Sequence, residues 1–273
     1  HVVFISMEPP DWGRPEEFYN QFSHVVACDR NIKHSNVIHR TGLTWWAGLR
    51  VKFDNGHQFS SKFSYDYDAF KSLEKPPKQN KISVITSKNS YFKGHKQRLK
   101  FLERLERHEI SEYIDLYGGY HNPIDDKLDA LLDYKYHLVL ENSVIRDYWT
   151  EKLADPLLAW CLPIYHGCPN IDDYFPREAI VQIDINNFDL TLETLENILS
   201  SSRFDDSADA LDIARNKVLD DYNIFQLISD ICKGHAKVHK TVTLKPLSFF
   251  RERENTLKRR LIRRGKSLLR KYV

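Results

Sequence analysis

Residues 134–176 constrain the fold more than any other part of this chain. They read YKYHLVLENSVIRDYWTEKLADPLLAWCLPIYHGCPNIDDYFP: a buried strand, a polar loop, a helix, a second short strand, then a Gly/Pro/Asn turn. That order gathers Glu141, Asn142, Ser143, Tyr148, Glu151 and Lys152 at the carboxyl end of a parallel sheet. Open α/β folds place their ligands there.

The rest of the chain supports the same class. Strand-like runs at 81–87, 113–117, 136–140, 162–165 and 180–185 alternate with helical stretches at 96–109, 125–133, 150–160, 191–200 and 207–233. Such alternation argues for a parallel, doubly wound sheet. Upstream, a strand at 1–7, a helix at 15–22 and a strand at 24–28 make half of a Rossmann-like unit. Residues 41–50 read as an aromatic loop, and the stretch from there to about Phe70 as polar and irregular. The charged, Pro-Pro segment 71–80 reads as a linker. It suggests a first domain over 1–78, a second over 79–235, and a return segment with a tail over 236–273. The chain opens on a strand-like run without Met, so the first domain is expected to lack upstream residues. One local conflict stands out. Pro156 falls inside the 150–160 helix, so either Asp155 caps a restarted helix or the helix is kinked.

Composition narrows the class further. An apolar fraction of 41% over 273 residues supports cores of their own, and no run reaches the length of a membrane span. No secretory leader is evident. The four cysteines, Cys28, Cys161, Cys168 and Cys232, form no CxxC pair and read as buried free thiols. With no Asn-x-Ser/Thr sequon, they point to a reducing cytoplasm. Net charge is +2, yet from Arg251 onward ten basic residues face two acidic ones. The tail, taken from Phe249 to Val273, carries Phe250, Leu257, Leu261, Leu268 and Tyr272 on one helical side. It fits an anionic lipid surface, with a nucleic-acid contact or a plain solvated helix as the other readings.

Several chemistries are excluded by missing motifs. There is no GxGxxG, Walker loop, HExxH or GxSxG, and the histidines lack metal-ligand spacing. A diphosphate would need side-chain cations instead. Lys152, at a helix start, reads alone as a solvated lysine. Beside Glu141, Asn142, Tyr148 and Glu151 it reads as a phosphate ligand. Arg98 is either the second cation or a solvated helix arginine. Glu141 is either a hydroxyl acceptor at the sheet mouth or a carboxylate tied to local N–H groups. Glu8, in a proline-stiffened loop, is either a general base or a turn residue. His166 is either a pocket residue or a polar turn residue.

The motifs Tyr134-Lys135-Tyr136, Leu140-Glu141-Asn142-Ser143, Tyr148-Trp149-Thr150-Glu151-Lys152, Leu157-Leu158-Ala159 and Pro163-Ile164-Tyr165-His166-Gly167-Cys168-Pro169-Asn170 resemble the donor-binding signature of the family 10 glycosyltransferases, the α-1,3/1,4-fucosyltransferases of bacterial type. Arg98 and Phe101 match an upstream spacing of that family. The resemblance implies a GT-B fold, two Rossmann-like domains facing across a cleft. It implies transfer of fucose from GDP-fucose to a glycan hydroxyl, with inversion and no obligatory metal or other cofactor. Arg98 and Lys152 would neutralise the diphosphate. Glu151 and Asn142 would hold ribose or sugar hydroxyls, and Tyr148 would pack near the base. Glu141, Ser143 and Thr150 would complete the donor site, and Glu8 would take the acceptor proton. The partners implied are GDP-fucose, a glycan acceptor and an anionic membrane surface at the inner face of the cytoplasmic membrane, with no nucleic acid. The same fold with another nucleotide-sugar donor, or a non-catalytic glycan- or nucleotide-binding protein, are the alternatives. The chain departs from the signature at Trp160, where the family usually has glycine, at His166 in place of tryptophan, and at Pro156. All three are expected near the pocket wall.

Overall fold

A computed structural model describes residues 2–10, 14–42, 45–52, 58–91, 93–119, 121–233 and 241–253. The basic tail from residue 254 onward, and with it the amphipathic pattern, lies outside the described residues. By contact density the chain divides into two units, His1–Gly42 with Ile231–Val273, and Leu43–Asp230.

In the smaller unit β1 (Val3–Ile5), α1 (Glu16–Tyr19), β2 (His24–Val26) and β3 (Val37–Ile38) form a three-stranded parallel sheet in the order β1-β2-β3. Val25 and Val26 are fully buried. Phe4, Phe18, Tyr19 and Phe22 pack ring against ring beside them, and Phe250 adds an edge to Phe18. This is the strand–helix–strand half-unit expected from 1–28. Glu8 lies exposed in the bend after β1, where the Ser6 hydroxyl donates to its carbonyl.

The larger unit begins with a segment that differs from the irregular stretch expected. β4 (Leu49–Lys52) pairs antiparallel with β5 (Gln58–Phe63), and α2 (Tyr67–Ser72) follows, with Asp66 accepting the Ala69 N–H as its cap. Phe70 of α2 is fully buried against Tyr65 and Trp45, in the same core as the main sheet. The Pro-Pro segment therefore marks the entry to β6 rather than the edge of a compact unit. Then come β6 (Gln79–Ile85), α3 (Lys93–Leu105), β7 (Ile114–Tyr117), β8 (Tyr134–Leu140), α4 (Glu151–Leu158), β9 (Leu162–His166) and β10 (Val181–Gln182). The five strands are all parallel, in the order β10-β9-β8-β6-β7. This is the α/β class expected. β8 is buried along nearly its whole length, as a strand covered on both faces must be.

Chain order reverses between β6 and β8. Right-handed crossovers running outward from that gap in opposite directions put α3 and α4 on opposite faces of the sheet. The carboxyl ends of β6 and β8 thus flank a topological switch point.

Three local expectations change. Residues 125–133 contain only a short 3-10 turn, Lys127–Ala130, capped by Asp126. The long helix expected over 207–233 is broken. α5 (Phe188–Ser200) and the short α6 (Arg203–Asp206) precede α7 (Ala208–Asn216), a π-helical turn Lys217–Asp221 follows it, and α8 (Ile224–Cys232) starts afresh with Asn223 accepting the Gln226 N–H. Finally, α4 is continuous through Pro156. Thr150 is its cap, and the carboxylate of Asp155 is used elsewhere. The helix ends on Trp160 at φ 59, a left-handed position that favours glycine. The indole offsets that strain by donating to Leu73 O at 2.9 Å and lying under the Arg215 guanidinium. Of the four free thiols, Cys28, Cys161 and Cys168 are buried as expected, and Cys232 is exposed.

Candidate functional site

A cavity of about 660 Å³ opens at the switch point. Its wall is built from Thr86 and Ser87 after β6, Asn142 after β8, Arg98 and His95 on α3, and Glu151 and Lys152 at the start of α4. Gly118 ends β7 at φ 87, and a Cβ there would stand 2.7 Å from the Thr86 carbonyl, so glycine lets the β6 and β7 ends close up. Gly94 plays the same part for α3: a Cβ would meet the Asn142 carbonyl oxygen at 2.0 Å.

Arg98 is 4% exposed and sits on the buried side of α3, not the solvated one. Its Nη1 donates to Asn142 Oδ1 at 2.9 Å, and Nη2 to the Ser87 carbonyl at 3.3 Å. Its Nε is buried without a partner, as is the hydroxyl of Thr86. Such orphaned donors cost on the order of 1–3 kcal/mol each until something binds them. Burial pulls Arg98 below the usual guanidinium value, and Glu141 opposes the shift.

Lys152 reaches the same cavity from α4. Its Nζ donates to Glu151 Oε1 at 3.1 Å and lies 3.9 Å from Glu141 Oε2. Burial works against its charge, but the two carboxylates outweigh it and raise Lys152 above the ordinary lysine value. Glu151 is likewise desolvated, yet Lys127 and Lys152 hold it down at about 2. It is therefore an ionised acceptor on the wall. His95, hydrogen-bonded to Asn142, is pushed down by burial and by both Arg98 and Lys152, and is neutral near pH 7.

The other expected residues sit elsewhere. Glu141 is 3% exposed and does not line the cavity. Oε1 accepts the Thr150 N–H at 2.8 Å and both oxygens accept the Thr150 hydroxyl at 3.0 Å, so it is tied to buried donors rather than open at the sheet mouth. Burial pushes it up, against Lys152 and Thr150. Thr150 is buried and caps α4. Tyr148 is buried off the wall, and Ser143 is half-buried off it. His166 ends β9, off the cavity wall, and turns to the Ile183 carbonyl at 3.3 Å and to Asp184. Of the three departures from the signature only Pro156 lines the cavity.

Sequence reasoning missed Lys127, Asp155, His95 and Thr86, all on this wall. Among the described residues no group of three His, Cys, Asp or Glu side chains is placed to hold a metal ion, and no helix is long and apolar enough to cross a membrane.

Residues 76–207, just under half of the chain, match the model "Glycosyltransferase family 10 (fucosyltransferase) C-term". A putative fucosyltransferase-like protein of Arabidopsis thaliana is 43% identical over 82 residues, covering 29% of this chain and 16% of that protein. The 3-galactosyl-N-acetylglucosaminide 4-alpha-L-fucosyltransferase of Homo sapiens is 30% identical over 109 residues, covering 38% of this chain and 29% of that one. The matches thus span less than a third of these relatives' lengths. An α1,3-fucosyltransferase solved with GDP-fucose superposes with a TM-score of 0.51 at 16% identity, over 88% of this chain and 77% of that one. A second α1,3-fucosyltransferase structure gives the same TM-score at 20% identity, over 76% and 62%. The fold is that of the solved α1,3-fucosyltransferases, a GT-B fold, and residues 76–207 are similar to the family 10 C-terminal model.

Proposed function

We propose that the chain transfers fucose from GDP-fucose to a glycan hydroxyl, with the donor held in the switch-point cavity. One observation carries this reading: Arg98 and Lys152, from helices on opposite faces of the sheet, meet on one cavity wall beside orphaned buried donors. Two fixed cations suit a diphosphate, and they suit it best as its charge grows during departure. Glu151 is the ionised acceptor for ribose or sugar hydroxyls, and Asn142 is held in place by Arg98.

The chemistry is a single displacement. The acceptor O–H gives its proton to a carboxylate base as its oxygen bonds to the fucose anomeric carbon. The bond from that carbon to the β-phosphate oxygen breaks, its electron pair leaves with GDP, and configuration inverts. Glu8 is proposed as the base from the family likeness and its position after β1. Glu8→Gln should abolish transfer while leaving GDP binding intact; transfer at an undiminished rate would assign the base elsewhere.

The donor is tested by thermal unfolding with a set of nucleotide sugars. GDP-fucose at a hundred times its Kd should stabilise the fold by about 2.7 kcal/mol. Protection only by other nucleotide sugars would remove fucose from the proposal, and binding without transfer to any arrayed glycan would leave a binding protein. The site of action is proposed at the cytoplasmic face of an anionic membrane, through the basic tail. Deleting residues 251–273 should release the chain from phosphatidylserine vesicles and spare GDP binding; unchanged vesicle affinity would refute that role.

A further inference from the structure

Lys127 carries no motif, yet it stands at the centre of the cavity's charge network. It leads the 3-10 turn whose cap, Asp126, accepts the N–H groups of Leu128 and Gly48, each at 3.0 Å, and the Ser64 hydroxyl. The backbone beneath Lys127 is therefore fixed. Its Nζ donates to Asp155 Oδ2 at 2.6 Å and lies 3.8 Å from Glu151 Oε1. The other oxygen of Asp155 accepts the N–H groups of Trp46 at 2.8 Å and Ala47 at 3.0 Å. Trp46, Lys127, Glu151 and Asp155 all line the cavity.

We infer that Lys127 is a positioning residue of this site: its ammonium aims the Glu151 carboxylate along the wall and, through Asp155, pins the Trp46–Ala47 segment to the same rim. This rests on the reading of the cavity as the donor site. Lys127 need not touch the donor. The alternative, that it merely neutralises buried Asp155, makes different predictions. The charged groups facing Glu151 are Lys127 from the 3-10 turn, Lys152 and Asp155 from its own helix, and Glu141 from the end of β8, with Arg98 acting on Lys152 from α3. Lys152 is shared with Glu141 and Lys127 with Asp155, so without Lys127 the Glu151 carboxylate is left with a single shared cation. It then takes up a proton at a higher pH and ceases to be a full acceptor.

The experiment measures Kd for GDP by calorimetry between about pH 5 and pH 8. It compares the unaltered chain, Lys127→Arg, and the double variant Lys127→Met/Asp155→Asn. The double variant leaves no unpaired buried charge, and its new amide oxygen still accepts the Trp46 and Ala47 N–H groups, so the fold is kept. The double variant should bind GDP about tenfold more weakly near neutral pH, a difference of about 1.4 kcal/mol. The deficit should widen as pH falls, and Lys127→Arg should recover most of it. Titration of the phosphate is common to all three proteins and cancels in the ratio. A ratio that stays near one overturns the inference. So does a pH-independent loss shared equally by Lys127→Arg, which marks a merely structural role. Failure of the unaltered chain to bind GDP would instead fell the donor-site reading, before any residue is changed.

Discussion

Replacing Lys152 by Met tests the proposed diphosphate site most directly. The substitution removes the ammonium and keeps the length of the stem, so the packing of α4 is preserved. Within the protein the lost contacts are those at 3.1 Å to Glu151, 3.9 Å to Glu141 and 3.4 Å to the Thr150 hydroxyl. Glu141 keeps its Thr150 donors, and burial already pushes it toward the neutral acid, so the fold survives the change. The ligand does not have that reserve. A hydrogen bond to a charged group is worth about 1.5–3 kcal/mol. At 1.4 kcal/mol per decade, Kd for GDP should rise roughly 10- to 150-fold. GMP provides the internal control. It lacks the β-phosphate, so a cation placed on that group should matter much less to it. Calorimetric Kd values for GDP and GMP, on both proteins, give the coupling directly. Equal weakening of the two nucleotides would move Lys152 off the β-phosphate. A GDP affinity within about twofold of the unaltered chain would refute the role of Lys152 altogether.

Three further outcomes follow from the geometry. At Trp160, φ 59 makes glycine the better small residue, so Trp160→Gly should be more stable in urea than Trp160→Ala by about 1 kcal/mol. Both should fall below the unaltered chain, because each loses the Leu73 and Arg215 contacts. Gly94→Ala drives a Cβ into the Asn142 carbonyl, so it should displace the Arg98 anchor and weaken GDP binding about tenfold, read by calorimetry, with the fold intact by circular dichroism. His137 is buried on β8 against the Ser83 hydroxyl, and burial with Lys127 nearby lowers it from 6.5 to about 3. The unfolded chain binds that proton first, so unfolding free energy should fall by up to about 1.4 kcal/mol per pH unit below about pH 6.5, ending near pH 3. Ser83→Ala/His137→Leu should flatten that limb in urea titrations.

The C-terminal sheet was legible because a parallel strand buried on both faces is written as one unbroken apolar run, as 136–140 is. The polar residues that follow it, and the Thr-Glu-Lys start of α4, are adjacent in sequence because the chain itself turns the corner from β8 into the helix. The hairpin of β4 and β5 escaped notice although Asn55-Gly56, a strong hairpin signal, stands between its strands in the sequence. Lys127 and Asp155 left no such trace. They meet across 28 residues, and Asp155 meets the Trp46 N–H across 109, distances over which spacing carries no information. Glu141 shows the converse failure. Its place after the strand was readable, but whether its carboxylate faces solvent or Thr150 depends on how α4 packs back, which is a tertiary fact.

That division bears on what the signature can report about ligand choice. A contiguous motif records one half of the cavity, the β8 corner and α4. The other half comes from α3, where Arg98 reaches Asn142 across 44 residues, and from the Trp46 segment tied down by Asp155. Two of the three departures from the signature belong to the frame: Trp160 closes α4 in a left-handed turn, and His166 bonds the chain beyond β9. Neither touches the wall, so neither argues for a different donor. Pro156 does line it, one residue from the carboxylate that holds Trp46. Having no N–H, it gives up a helix hydrogen bond at the point where α4 faces the cavity. On the reading of the cavity as a donor site, any difference in preference from the matched fucosyltransferases is therefore expected at the Asp155–Pro156 corner and the Trp46 rim, not along the Glu-Asn-Ser and Thr-Glu-Lys motifs.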